Sequence, residues 1–148
     1  MRIYLDVCCF NRPFDDQSQA RIRLETEAKL LLQEYVREGK HELAWSYILD
    51  YEISRNPFQE RVRSILDWRR LAGTVVHESS AVLRNAEVLM QNNVGVYDAL
   101  HVACAIEAKS DVFVTTDDRL LKKLAVSPVI RAATPGAALA YIEKWYED

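Results

Sequence analysis

Along the chain, short runs of strand-forming apolar residues alternate with longer stretches whose apolar positions recur every three or four residues. The first run, residues 3–7 (IYLDV), reads as a buried strand. Asn11-Arg12-Pro13 breaks it. Asp16 or Ser18 then caps a long helix running to about Glu38, with Leu24, Ala28, Leu31 and Tyr35 at helical spacing and Gly39 just past its end. Residues 42–45 form a second short strand, and Ser46 caps a helix containing Glu52. Asn56-Pro57 restarts a helix whose inward stripe is Phe58, Val62, Ile65 and Leu66. Residues 74–77 make a third strand after Gly73. Ser79 or Ser80 opens a helix to about Met90, and Asn92, Asn93 and Gly95 form a turn. Residues 96–108 are a helix so rich in small and apolar side chains that it belongs at the centre. DVFVT, residues 111–115, is a fourth strand. Asp117 or Asp118 caps a short helix through Leu124, Val129-Ile130 is a fifth strand, and Thr134-Pro135 starts a last helix to about Tyr146.

Strands alternating with helices imply a parallel sheet with helices on both faces. The expected fold class is therefore α/β, an α/β/α sandwich with a short, mostly parallel sheet of four to five strands. No repeat, linker or low-complexity tract divides residues 1–148, which read as one domain. In such sheets ligands bind at the carboxyl ends of the strands. Asp6 stands near that end of the first strand, and Asp117 just past DVFVT, so both are expected at one edge.

Composition narrows the function. The 148 residues are 49% apolar and 28% charged, which suits a folded domain with a sizeable core. Lys and Arg number 19 against 22 Asp and Glu, so bulk charge does not mark a basic nucleic-acid binder, although a local basic patch is compatible with it. Cys8, Cys9 and Cys104 make no C-x-x-C pair, and adjacent cysteines close a disulfide ring only with strain. They read as free thiols of a reducing, cytoplasmic setting. The first apolar run is too short for a signal peptide, and no apolar stretch approaches the roughly 20 residues of a membrane span.

Glu52 and Asp98 can reach the same edge as Asp6 and Asp117. Asp98, in a helix's first turn, also has a simple reading as a helix-start residue, and acids at strand ends often cap helices. Four converging carboxylates repel one another, and a hard divalent cation such as Mg2+ or Mn2+ relieves that repulsion.

These residues resemble the PIN-domain ribonucleases. The resemblance rests on four motifs in order: IYLDVCCF, SYILDYE, YDALHVACA and FVTTDDRLL. It covers nearly the whole chain. It implies a Mg2+- or Mn2+-dependent endoribonuclease acting on RNA, with Asp6, Glu52, Asp98 and Asp117 as the catalytic acids and Asp6, Asp98 and Asp117 as the metal ligands. Members of the VapC type are toxins neutralised by a cognate antitoxin, so an antitoxin partner and pairing into a homodimer are further implications. Two departures stand out. Where the family carries Asp-x-Asn, this chain has Cys8; either the Asn contact is missing or Asn11 replaces it. The segment NRPFDDQSQARIRLETE is also unusually charged.

Other residues have plainer readings. Cys8 and Cys9 are small packing residues, since nothing local activates a thiol. His101, three residues after Asp98, suits packing or support of the acids. Asp118 either touches a metal through water or caps a helix. Thr115 or Thr116 can offer a hydroxyl. Arg12, Arg21 and Arg23 either bind phosphates or pair with neighbouring acids. A non-catalytic PIN module binding RNA or a protein is the alternative function, and the four retained acids speak against it. A dehalogenase-type phosphatase needs a second acid where Cys8 stands. A receiver domain needs paired acids at the first strand, where Asp6 is alone.

Overall fold

The computed structural model describes residues 1–126 and 128–147. Among them five strands form one fully parallel sheet in the order β3-β2-β1-β4-β5. The strands are β1 (Arg2–Leu5), β2 (Glu42–Ser46), β3 (Ala72–Val76), β4 (Val112–Val114) and β5 (Ala132–Ala133). Eight helices connect and cover them: α1 (Val7–Asn11), α2 (Ala20–Arg37), α3 (Tyr47–Ser54), α4 (Gln59–Leu66), α5 (Ser80–Gln91), α6 (Val96–Glu107), α7 (Asp118–Val126) and α8 (Pro135–Glu143). The expected α/β/α sandwich is the observed one.

Strand β1 is central. Ile3 pairs with Leu43 of β2 on one side and with Val112 of β4 on the other. From β1 the chain runs outward one way through β2 and β3, then returns to place β4 and β5 on the other side. The strand order reverses between β1 and β4, and the crevice at their carboxyl ends is where parallel sheets bind ligands. The core is one contiguous cluster in which Ile3, Tyr4, Leu43, Trp45, Val112 and Phe113 are all sealed from solvent. Helix α6 contributes Ala99, Val102, Ala103, Cys104 and Ala105 to it, in keeping with its small-residue composition. No helix among the described residues is long and apolar enough to cross a membrane.

Several local expectations shift. Strand β1 stops at Leu5, because the Asp6 side chain accepts from the Val7 N–H and starts a short helix where strand continuation and a turn were expected. Asp16 does not cap α2; its carboxylate turns back on Ser18, and Gln19 takes the cap position without a side-chain bond. Helix α4 begins at Gln59 with Phe58 exposed, while Val62 and Ile65 are buried as expected. Strand β3 starts earlier, at Ala72, and the fifth strand is Ala132–Ala133, not Val129-Ile130. Helix α8 ends at Glu143, where Lys144 adopts a left-handed backbone. Gly39, at φ 77°, closes α2 as the sequence suggests, and Lys40 N–H reaches back to the Tyr35 carbonyl.

The largest surprise is the inward face of α2. Leu24 and Leu31 are exposed, and the buried positions include Glu25, Lys29, Leu32, Gln33 and Val36.

Candidate active site

The site is built from the ends of three strands and the first turn of α6. Asp6 follows β1 and is 4% exposed. Its Oδ1 accepts from Val7 N–H at 2.8 Å, and its Oδ2 accepts from the Thr115 hydroxyl at 2.9 Å. Thr115 follows β4, and its Oγ1 accepts in turn from Asp117 N–H at 3.2 Å. The β1–β4 register, Leu5 opposite Val114, brings these residues side by side. Asp117 is exposed and caps α7, accepting from the N–H groups of Arg119 and Leu120.

Glu52 and Asp98 arrive on helices. Ser46, at the end of β2, caps α3 by accepting from Leu49 N–H at 3.2 Å, and one turn later α3 presents Glu52. Asp98 sits in the first turn of α6, whose start has no side-chain cap. Burial pushes the Asp98 carboxyl up to about 6, and the negative charges of Asp6 and Asp117 push it the same way. All four predicted acids therefore meet at one edge of the sheet. Among the described residues, however, no three His, Cys, Asp or Glu side chains stand together as a ready ligating group. Asp6 and Asp117 are each tied to backbone N–H groups of different helices, and mutual repulsion gives no reason for the carboxylates to close on one another.

His101 supplies a connection that sequence spacing only hinted at. Its Nε2 lies 2.5 Å from Oε1 of Glu52 and 3.9 Å from Oδ1 of Asp6. Its Nδ1 lies 2.7 Å from the Tyr4 hydroxyl, which lies 2.7 Å from Ser46 Oγ. Tyr4 was not anticipated here, and Ser46 was expected only as a helix cap and as the serine that opens SYILDYE. The available signal was a phenol in an otherwise apolar buried strand, because a buried Tyr O–H needs a partner.

Cys8 fills the wall where the resemblance led to an Asn. Its Sγ lies 3.5 Å from Asp6 Oδ2 and 3.4 Å from Thr115 Oγ1, and it accepts from Thr116 N–H at 3.3 Å. Asn11 lines a groove that also takes in Glu52, without bonding Asp6 in place of that Asn. Cys9 is buried, donates to the Val114 carbonyl, and has its thiol raised by burial, so it is inert. Arg12 and Arg21 pair with acids. Arg12 holds Asp15 at 3.1 Å and Glu25 at 2.8 Å; Arg21 holds Asp118 at 2.7 Å, which keeps the Asp118 carboxyl below its ordinary value.

The PIN-domain family model matches residues 3–126. The chain belongs to the PIN-domain family. No protein of curated function matches it by sequence. Solved structures share the fold. One is VapBC2 from Rickettsia felis bound to a DNA fragment from its promoter, at 18% identity and a TM-score of 0.53, covering 89% of this chain and 97% of that one. FitAcB from Neisseria gonorrhoeae aligns at 13% identity and a TM-score of 0.56, covering 90% and 98%. VapBC-1 from nontypeable Haemophilus influenzae aligns at 12% identity and a TM-score of 0.56, covering 92% and 99%. At these identities the likeness is one of fold.

Proposed function

We propose that this PIN domain is a divalent-metal-dependent endoribonuclease, with Asp6, Glu52, Asp98 and Asp117 as its acidic site. The observation that carries the reading is geometric: Asp6 and Asp117 stand at the carboxyl ends of β1 and β4, joined through Thr115, and the half-buried Asp98 lies near enough for both aspartates, with burial, to push its carboxyl up. An arrangement that opposes its own ionisation is costly unless a cation relieves it. The donor set fits Mg2+ or Mn2+. It is all oxygen, and Mg2+ keeps several waters while taking only one or two carboxylates directly. An open, unclosed set of acids matches that demand. Asp6, Asp98 and Asp117 would hold the ion, which when bound would make water more acidic and offset charge on a phosphodiester.

The chain's own part is positional. Glu52, fixed by His101, accepts the proton of the attacking water as its oxygen bonds to phosphorus; the ester P–O bond breaks, and the leaving oxygen keeps the electron pair and takes a proton from solvent. Thr115 and Val7 N–H orient Asp6 so that one carboxylate edge is not free to rotate.

The toxin role, with a cognate antitoxin as partner, is supported by the shared fold with VapBC and FitAcB chains. Pairing into a homodimer is supported by leucines that α2 leaves in water, Leu24, Leu30 and Leu31. The test of the activity is cleavage of RNA with Mg2+ or Mn2+ by wild type and by Asp6→Asn; loss of cleavage in the variant is expected, and equal cleavage refutes the assignment.

A further inference from the structure

Tyr51 and Tyr97 are the sequence neighbours of Glu52 on α3 and of Asp98 on α6. Their rings stack, with centroids 5.9 Å apart and planes inclined by 27°. They are 44% and 45% exposed, so they add little to the core. The Arg55 guanidinium donates to the Tyr51 hydroxyl at 2.8 Å and lies 5.6 Å from the Tyr51 ring centroid. Farther out, the Arg61 guanidinium lies 4.1 Å from the Phe58 ring centroid and 4.9 Å from that of Phe14, both exposed. A shallow groove lined by Val7, Asn11, Glu52, Arg55, Phe58 and Arg61 joins this outer group to Glu52. Asp15 also borders it and is already paired with Arg12.

Resting on the ribonuclease reading above, we infer that this strip is the subsite for an unpaired RNA strand. Tyr51 and Tyr97 stack on the base beside the cleaved phosphate, and Arg55 and Arg61 hold phosphates along the groove. Three observations support this. The aromatic faces are partly exposed, and both tyrosines lie near enough to Glu52 to feel its charge. Among the described residues neither Arg55 nor Arg61 makes an ion pair, whereas Arg12 and Arg21 are occupied by acids. Arginines lying against aromatic rings keep N–H edges for phosphate. Rings alternating with cations suit single strands, because every base has a face to stack while the backbone follows positive charge. A duplex hides its base faces. On a chain of net charge −3, such a local strip gives RNA a place to dock.

The test is fluorescence anisotropy with a short, labelled, unstructured RNA and wild-type protein in EDTA, so that nothing is cut. Tyr51→Ala and Tyr97→Ala are each expected to weaken binding about tenfold, with thermal melts run beside them to show that each variant is folded. Tyr97→Phe keeps the stacking face and should bind nearly as wild type. Arg61→Ala should lower the salt dependence of binding by about one phosphate contact. The duplex form of the same RNA should bind more weakly. Variants that bind like wild type, or a duplex bound as tightly as the single strand, overturn the inference. So does RNA bound in neither form, which would leave the strip as a surface for a protein. Strip-dependent binding without metal-dependent cleavage sinks the ribonuclease reading instead; cleavage indifferent to the strip variants sinks this one.

Discussion

Nε2 of His101 lies 2.5 Å from Oε1 of Glu52, and Nδ1 of the same ring lies 2.7 Å from the Tyr4 hydroxyl. The buried ring thus joins Glu52 to Tyr4, whose hydroxyl hydrogen-bonds Ser46 Oγ, which in turn accepts from Leu49 N–H. The pattern fixes the direction of the Glu52 carboxylate. Tyr4→Phe leaves Nδ1 buried without its partner, and its expected cost is about 1–3 kcal/mol of stability. Urea unfolding measures it. A Phe variant as stable as wild type would show that the hydroxyl is dispensable and the ring is not held this way.

Asp98 gives a pH signature. Its carboxyl stands near 6 in the folded protein against an ordinary value of 3.8, so between those values the folded state holds a proton that the unfolded state has released. Stability of the metal-free protein is expected to fall as pH rises through about 4 to 6, beneath whatever other groups contribute. Asp98→Asn should flatten that slope and melt higher than wild type at pH 7 in EDTA. A lower melting temperature for the variant at pH 7 would contradict the repulsion.

Divalent cations should raise the melting temperature of wild type. A ligand that binds only the folded state stabilises it by about 2.7 kcal/mol at a hundredfold excess over its dissociation constant. Differential scanning fluorimetry with millimolar Mn2+ reads this, and Asp98→Asn should respond less. No shift with all four acids intact would count against the cation site.

Lys29 carries a second titration. It is 5% exposed on the inward face of α2, its ammonium 5.5 Å from the Phe10 ring centroid, and burial lowers it to about 8 from 10.5. Here the unfolded chain holds the proton that the folded one gives up, so this group makes stability rise with pH between about 8 and 10.5. Lys29→Met is expected to stabilise the protein at pH 7, with the gain shrinking near pH 10. A variant less stable than wild type at both pH values would mean that Lys29 has a favourable role there.

Self-association is expected from the leucines that α2 turns outward. Sedimentation at micromolar concentration should give a mass above the 17.1 kDa chain, and Leu31→Lys should return it toward that value. A monomeric wild type would end the homodimer idea.

Strands β1, β2 and β4 were legible because they are apolar runs buried on both faces, whereas β5, two half-buried alanines, offers no such run. The edge carrying the acids was legible for the same reason: a parallel sheet puts Asp6 and Asp117 at strand ends by topology alone. Helix α2 was misjudged because its core face is polar. Glu25 is matched by Arg12 and Arg21, Lys29 by an aromatic ring, and Gln33 is buried with both amide atoms unpartnered, so apolar spacing pointed to the leucines that actually face water. The link from Tyr4 through His101 to Glu52 joins residues 4, 101 and 52, and only the folded sheet brings them together. Helix α1 was hidden because one carboxylate serves two ends, as a site residue and as the cap that stops β1.

The most direct measurement is cleavage of a single-stranded RNA with Mg2+ or Mn2+ by wild type, Asp6→Asn, Asp98→Asn, Glu52→Gln and Cys9→Ser, each checked for folding. The account predicts metal-dependent cleavage by wild type and Cys9→Ser. It predicts loss of most activity in the three acid variants, with Glu52→Gln losing less metal affinity than the two Asn variants. Wild-type cleavage by a folded Asp98→Asn, together with a folded but inactive Cys9→Ser, would contradict it.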